Sequence, residues 1–519
     1  MREKVKSKKA KVKNVFVMWS LLVLFLMSQM NIVSVLGQTE TPPAPSAPRP
    51  SAIPKPLEKK LANGMRVIVV ERPNVPLVTT ELIIKSGGEK DPEELWGLAN
   101  MTANLLTKGT KTRTAPQIAE QIEALGGSIS SNSGWDSSSV SVSVLSNKFA
   151  EALTVAADVV RNPSFKDDEI ERLKEQTLDE IKFGMSDPTT IARAVTARVV
   201  FGEDESGGKN YAHPLSGTVE SVERIKRKDI VLMHDVFYRP LNVVLVIAGD
   251  IKAIQAFSLA KKLFGTWKNK PEPKRQVVAE TIVGTTGNDG RSGKNEVKKV
   301  IVIDMPNAGQ SAVTIAGLSI DRHRKGLIIG EVTNSILGGG YSSRLNQEIR
   351  IKRGLSYGAG SAIDARDDGG IFIARTQTKN QSAAVVADLL VSELNRLGEE
   401  PIQEKELTPR KAVLIGDFGR ELETNAGLVG QIGELALYDL SLNEINTYIK
   451  NVQGVKESEV RLFAKTFLNP KNSSIIIVGD AKFFLEELRK NFNNVEVIPV
   501  DELDLNSDSL RKAKTNAVK

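Results

Sequence analysis

FYRPLNVVLVIAGD (237–250) and FLNPKNSSIIIVGD (467–480) are one phrase written twice. At a constant offset of 230 residues, Phe237 matches Phe467, Pro240 matches Pro470 and Asn242 matches Asn472. Gly249-Asp250 likewise match Gly479-Asp480. Each copy reads as a turn, then a buried apolar strand, then a Gly-Asp stop. Each follows a stretch with helical spacing, VERIKRKDIVLMHDVF (222–237) and VQGVKESEVRLFAKTF (452–467). A period this long marks duplicated domains rather than a solenoid of short units.

Working outward, the join between the copies falls in KNKPEPKRQ (268–276) and GTTGNDGRSGKNE (284–296), which are rich in Lys, Pro, Gly and Asn as linkers are. One domain is therefore expected over 57–267, a linker over 268–296, a second domain over 297–500, and a charged, fraying tail over 501–519. MRVIVVER (65–72) and LVTTELIIKS (77–86) read as strands, and SSVSVSVLS (138–146) alternates as a half-buried strand does. FAEALTVAADVVRNP (149–163) and DDEIERLKEQTLDEIKFGM (167–185) read as helices. KKVIVIDMP (298–306), SAVTIAGLSI (311–320) and the helical GLIIGEVTNSILGGG (326–340) repeat the order. Strands and helices mixed twice over predict an α+β layered domain in each half.

The whole chain has 519 residues, enough for two such domains. Cysteine is absent, which removes disulfides, thiolate nucleophiles and cysteine-ligated zinc from consideration. The three histidines, His213, His234 and His323, are too far apart in sequence for a two-histidine metal site on one helix. The formal charge of +7 is concentrated in residues 1–13, and the remainder is nearly neutral. That balance gives no electrostatic footprint for nucleic acid.

The basic start is followed by an apolar run, Val15 to Leu26, and then Val35-Leu36-Gly37, whose small residues suit a signal peptidase. Residues 1–37 are thus expected to be a secretory signal, cleaved or retained as an anchor, with the body exported and a bacterial periplasm as the expected compartment. Residues 38–56 hold 7 of the 22 prolines, which makes them an extended tether.

LANGMRVIV (61–69), SGGEKDPEELWGLANMTANLLTKGT (86–110) and Tyr211-Ala212-His213-Pro214 with Gly217-Thr218 carry a resemblance. The chain resembles the pitrilysin/insulinase-type zinc metallopeptidases, the group of the two-subunit mitochondrial processing peptidase, over roughly residues 57–495. The resemblance implies two homologous α/β sandwich domains in tandem. It also implies that the helix after Gly97-Leu98-Ala99 should carry H-x-x-E-H, two zinc-binding histidines and the glutamate that activates water. Here the aligned residues are Asn100, Ala103 and Asn104. A carboxamide oxygen is a poor zinc ligand beside imidazole, and alanine moves no proton. Glu180 stands at about the expected place of the remaining carboxylate ligand, a relict or an ion-pair partner. No metal site is expected on this chain. Taken without the resemblance, Asn100 and Asn104 are two polar residues on a half-exposed helix.

SILGGGYSSRLNQEIRIKRGLSYGAGS (335–361) is the second informative stretch. Gly338-Gly339-Gly340 form a loop after a helix. Ser343–Arg353 reads as a further helix ending at Gly354, with Tyr357 starting a strand. The resemblance puts the family's substrate-contacting arginine and tyrosine on Arg350 and Tyr357. A tyrosine hydroxyl fixed beside a developing oxyanion is worth about two to three orders of magnitude in rate. A guanidinium grips peptide carbonyls or carboxylates through a planar fork. The bland alternative is that Arg350 pairs with Glu348 and Tyr357 packs under the sheet.

Other candidates are weaker. The serine-rich run over 128–143 has strand period and no neighbouring histidine, and LGGGYSSRL lacks the ending of a phosphate loop. His213 before Pro214 reads as structural, and His323 reads as a loop or helix-start residue.

The expected function is that of a non-catalytic, substrate-binding subunit of an exported heterodimeric zinc peptidase. An H-x-x-E-H subunit would hold the zinc, and this chain would supply half the chamber, the glycine loop, Arg350 and Tyr357 to a peptide substrate. Two alternatives stay open: a binding or scaffold protein that keeps only the fold, and a hydrolase with an unrecognised site.

Overall fold

The computed structural model describes residues 53–202, 208–269 and 296–513. The signal, most of the tether and most of the linker read from the sequence lie outside the described residues. Two six-stranded mixed sheets carry the fold. The first contains β1 (Leu57–Lys60), β2 (Arg66–Glu71), β3 (Leu77–Ile84), β4 (Ser128–Ser133), β5 (Ser138–Leu145) and β6 (Val243–Gly249), in the order β1-β2-β6-β3-β5-β4. The second contains β7 (Lys299–Asp304), β8 (Ser311–Ser319), β9 (Ala359–Ala365), β10 (Gly370–Thr378), β11 (Ser474–Gly479) and β12 (Val495–Pro499), in the order β12-β7-β11-β8-β10-β9. Apart from the edge strands β1 and β12, the two orders are the same. The duplicated phrase supplies β6 and β11. Each is wholly buried, parallel to one neighbour and antiparallel to the other. A strand in that position has apolar residues on both faces, which is why both copies read as unbroken aliphatic runs.

The first half adds α1 (Leu98–Leu105), α2 (Ala115–Ala124), α3 (Phe149–Arg161), α4 (Asp167–Gly184), α5 (Pro188–Phe201), α6 (Val219–Arg224), α7 (Arg227–Phe237) and α8 (Ala253–Phe264). The second adds α9 (Leu327–Leu337), α10 (Ala383–Glu399), α11 (Glu404–Leu422), α12 (Asn425–Leu437), α13 (Glu444–Gly454), α14 (Glu457–Phe467) and α15 (Leu485–Asn491). In the first half, Val67, Val69, Leu82 and Leu245 face α1, α3, α7 and α8. The alternate residues Ile68, Val70, Val244 and Val246 face the other way, and helix α12 of the second half covers them with Leu428, Val429, Ile432 and Leu435. The exchange is reciprocal. Ile301, Ile303, Ile476 and Val478 of the second sheet are covered by Ile191, Ala192, Val195 and Val199 of α5.

Both exchanged helices begin on a side-chain cap. Asp187 accepts from the Thr190 N–H at 2.9 Å, and Thr424 from the Gly427 N–H at 2.9 Å. Such caps satisfy amide groups that the first turn leaves over. Each aliphatic side chain buried in this way contributes about 1.5–3 kcal/mol.

The halves also meet at their hairpin tips. The Asp136 carboxylate, between β4 and β5, accepts from the Tyr211 hydroxyl at 2.6 Å, the Tyr438 hydroxyl at 2.7 Å and the Asp367 N–H at 3.1 Å. Arg366, between β9 and β10, lies 4.4 Å from the Trp135 ring and 4.8 Å from that of Tyr211.

The tail departs from expectation. Residues 501–513 do not fray: Leu503 and Leu510 are buried against α5 and β12. Leu503 bridges to Arg511, and Arg198 pairs with Asp508 at 2.6 Å. The two leucines, spaced among charges, anchor a segment whose composition alone reads as solvated.

Candidate functional site

Helix α1 starts at Gly97, whose φ of +94° is a left-handed conformation. A Cβ there would also lie 2.6 Å from the Ser216 carbonyl oxygen. Glycine is required on both counts. Asp91 holds the same end, accepting from the Gly97 and Ala99 N–H groups at 2.7 Å each. Burial pushes its carboxyl up to about 8, against the pull of those amides. His213 stacks on Trp96 with ring centroids 5.2 Å apart, and its nitrogens face the Gly88 and Pro214 carbonyls. Burial brings it down to about 4, so the ring is neutral near pH 7. These groups orient α1. His213 is structural, as its place before Pro214 implies.

On α1 itself, Asn104 donates its side-chain N–H to the Asn100 carbonyl at 2.9 Å and to the Asn100 carboxamide oxygen at 3.0 Å. Ala103 is fully buried. Helix α4 packs against α1, but Glu180 is exposed and accepts from Gln176 at 2.9 Å. Among the described residues it makes no ion pair. The residues that stand where the family holds zinc do not fit it: two carboxamides bonded to each other, a methyl group and one carboxylate tied to its own helix. Among the described residues no cluster of three His, Cys, Asp or Glu side chains has metal-binding spacing.

The glycine loop closes α9. The N–H groups of Gly338 and Gly339 both donate to the Asn334 carbonyl, at 2.9 and 2.8 Å. A Cβ on Gly338 would lie 2.2 Å from the Ser361 nitrogen of β9. A Cβ on Gly339 would lie 2.8 Å from the Ser335 Cα. Both glycines therefore have packing reasons. Gly340 is exposed and has room around it.

The helix expected over Ser343–Arg353 is shorter and wider. Residues Asn346–Ile351 form a π-helical turn, and Gly354 at φ +63° ends it. Asn346 explains part of the distortion. Its side chain is drawn to the Tyr341 carbonyl, at 2.5 Å, and to the Ala359 N–H, at 3.3 Å.

Glu348 pairs with Lys352 and Arg353, leaving Arg350 out. The Arg350 guanidinium lies 5.0 Å from the Tyr341 ring and makes no ion pair among the described residues. Tyr357 precedes β9 by two residues and is 92% exposed. Its flanks are pinned: Thr378 donates to the Leu355 carbonyl at 2.6 Å, and Thr376 bonds Ser356 and the Gly358 carbonyl at 2.7 Å each. The bland alternative for the pair fails on both counts. Arg350 avoids Glu348, and Tyr357 stands clear of the sheet. No hydrogen bond or ring contact joins either residue to α1. Tyr341 escaped the sequence reading, because an i, i+9 pairing across a loop and a π-turn follows no helical spacing.

Two family descriptions match the chain. "Insulinase (Peptidase family M16)" matches residues 66–200, and "Peptidase M16 inactive domain" matches residues 224–414. An uncharacterized zinc protease of Rickettsia felis is 27% identical over 82% of this chain and 98% of its own length. One from Mycobacterium leprae is 25% identical over 80% of this chain and 90% of its own. Among solved structures, a peptidase M16 inactive domain from Pseudomonas fluorescens superposes with a TM-score of 0.73 at 26% identity, covering 82% of this chain and 98% of that one. A protease from Helicobacter pylori shares the fold with a TM-score of 0.74 at 19% identity, over 82% of this chain and all of that one. With both family regions present in order on a duplicated two-sheet body, the chain belongs to the insulinase-type peptidase family M16, and it does so without the H-x-x-E-H residues.

Proposed function

We propose that this chain is the non-catalytic, substrate-binding subunit of an exported heterodimeric peptidase. The observation that carries the reading is a division of labour. The zinc-binding positions are lost to Asn100, Ala103 and Asn104, while Arg350 and Tyr357 stand on a supported surface with no ion pair or side-chain hydrogen bond among the described residues. In this reading a homologous H-x-x-E-H subunit holds the zinc, and the peptide bond is cleaved there. The two chains enclose the peptide. Arg350, steadied on the Tyr341 ring, holds a peptide carbonyl or carboxylate through its fork. Tyr357 donates its hydroxyl to the oxygen on which charge develops. The basic start and apolar run of residues 1–37 support export, with a bacterial periplasm as the compartment.

The test is a native pull-down of the tagged chain from its own host, with co-eluting proteins identified by mass spectrometry. A one-to-one partner bearing H-x-x-E-H, whose peptide hydrolysis rises when this chain is added, supports the proposal. If the chain elutes alone, or with unrelated proteins, a binding or scaffold role replaces it.

A further inference from the structure

Arg410 lies on α11, directly beneath the glycine loop, and is 8% exposed. No hydrogen bond or ion pair to its guanidinium exists among the described residues. Its natural partner is Glu406, four residues earlier on the same helix. Glu406 is taken: Arg344 binds it through both oxygens, Nε to Oε1 at 2.7 Å and Nη2 to Oε2 at 2.9 Å. Arg410 feels the Glu406 charge without touching it, and burial holds its guanidinium below the usual arginine range. With no protein partner among the described residues and its nitrogens still reaching solvent, the guanidinium is open to an anion.

The opening lies at Gly340. Nη1 of Arg410 is 3.8 Å from the point where a Cβ on Gly340 would stand, and nothing else lies within 4 Å of that point. Any larger side chain at 340 would cover the guanidinium. The backbone N–H groups of Gly340, Tyr341 and Ser342, in an exposed turn, have no acceptor among the described residues. Successive free amides in a turn can receive an anion.

We propose that Arg410 and the Gly340–Ser342 amides form a subsite for a peptide carboxylate, either an acidic side chain or a free C-terminus. The proposal rests on the peptide-binding reading above and gives it a charge preference. The guanidinium and amides donate, and the two carboxylate oxygens accept. Arg344 and Glu406 stay paired alongside.

The test is fluorescence anisotropy with the full chain and a rhodamine-labelled, unstructured twelve-residue peptide in four forms. The centre is Glu-Glu or Gln-Gln, and the C-terminus is free or amidated. The wild-type chain should bind at least one carboxylate-bearing form about tenfold or more tightly than the Gln-Gln amide. If the preference follows Glu-Glu, the subsite takes side chains; if it follows the free terminus, it takes the chain end. Arg410→Met should abolish the preference while the melting temperature holds, since the guanidinium has no hydrogen bond or ion pair among the described residues to lose. Gly340→Leu, which closes the opening and leaves the guanidinium, should also abolish it and decides the case if Arg410→Met does not fold. Equal affinity for all four peptides, or a preference that survives both variants, overturns the subsite. Binding is read on this chain alone. Charge-selective binding without hydrolysis beside an H-x-x-E-H subunit would therefore overturn the peptidase reading and leave the subsite standing. Hydrolysis indifferent to peptide charge would do the reverse.

Discussion

The Asn104 carboxamide donates to the Asn100 carboxamide oxygen at 3.0 Å, one helical turn away. The two side chains that the resemblance sets at the family's zinc-binding histidines are thus bonded to each other. The purified chain should carry no stoichiometric zinc by elemental mass spectrometry after exposure to excess metal and desalting. One zinc per chain would refute this account of Asn100, Ala103 and Asn104. Asn104→Ala, which removes a half-exposed hydrogen bond, should cost only about 0.5–1.5 kcal/mol in a denaturant titration.

Tyr357 is held by its backbone alone. Tyr357→Phe should leave the melting temperature unchanged, because the hydroxyl of a side chain 92% exposed has no partner among the described residues to lose. On the proposed reading, the same substitution should lower kcat of this chain's complex with an H-x-x-E-H subunit by about two orders of magnitude. A normal kcat would remove the hydroxyl from the chemistry.

All four tryptophans, Trp19, Trp96, Trp135 and Trp267, precede the linker, so tryptophan fluorescence reports mainly on the first half, with Trp135 also sensing Arg366 of the second. Val478→Ala lies in the second sheet, but its cover is α5 of the first half. It should cost about 1–3 kcal/mol, and the tryptophan-monitored urea midpoint should fall with it. A tryptophan midpoint that stays in place would show that the halves unfold separately.

Burial pushes the Glu89 carboxyl up to about 7, with Asp136 nearby adding to the shift and Lys90 opposing it. A carboxyl raised on folding binds its proton more tightly in the native state. Its stabilising contribution is complete below about pH 4.5 and is lost as pH rises through 7. Glu89→Gln should therefore gain on the wild type across that window, by on the order of 3 kcal/mol at pH 8. Taking the difference between the two proteins removes the opposing titration of His213, while Asp91, whose carboxyl the Glu89 charge also raises, shifts in the same direction as the expected gain. A constant difference from pH 4 to 8 would rule out the shift.

The duplication, the central strands and helices such as α3, α4, α7, α9 and α14 were legible because each depends on local spacing or on an aliphatic run; β1, β10 and β12 and helices such as α5, α10 and α11 were not read. The 237–250 and 467–480 phrases located both central strands. The cover on the outer faces was not legible. Helix α12 is mostly apolar, and nothing in NAGLVGQIGELAL says that its target is Ile68 and Val246 rather than its own sheet. The tail was misread because Leu503 and Leu510 are outnumbered by charges, and a bridge across seven residues has no periodicity. At the site, Asn100, Ala103 and Asn104 were found by alignment with a motif. Arg410 was missed because Glu406 at i−4 looks like its partner. The rival arginine, Arg344, comes from an element 62 residues away.

The reciprocal covering of the sheets also constrains the order of events during synthesis. The first sheet has all its strands once Gly249 has emerged, yet Leu428–Leu435 come nearly two hundred residues later. At ordinary elongation rates that gap is about ten to forty seconds. Throughout it, Ile68, Val70, Val244 and Val246 form a greasy, strand-rich surface with nothing on it, the kind of surface to which nascent chains stick. A holding factor, or passage through a pore before any folding begins, would shield it, and circular permutants that bring residues 425–437 out earlier should aggregate less.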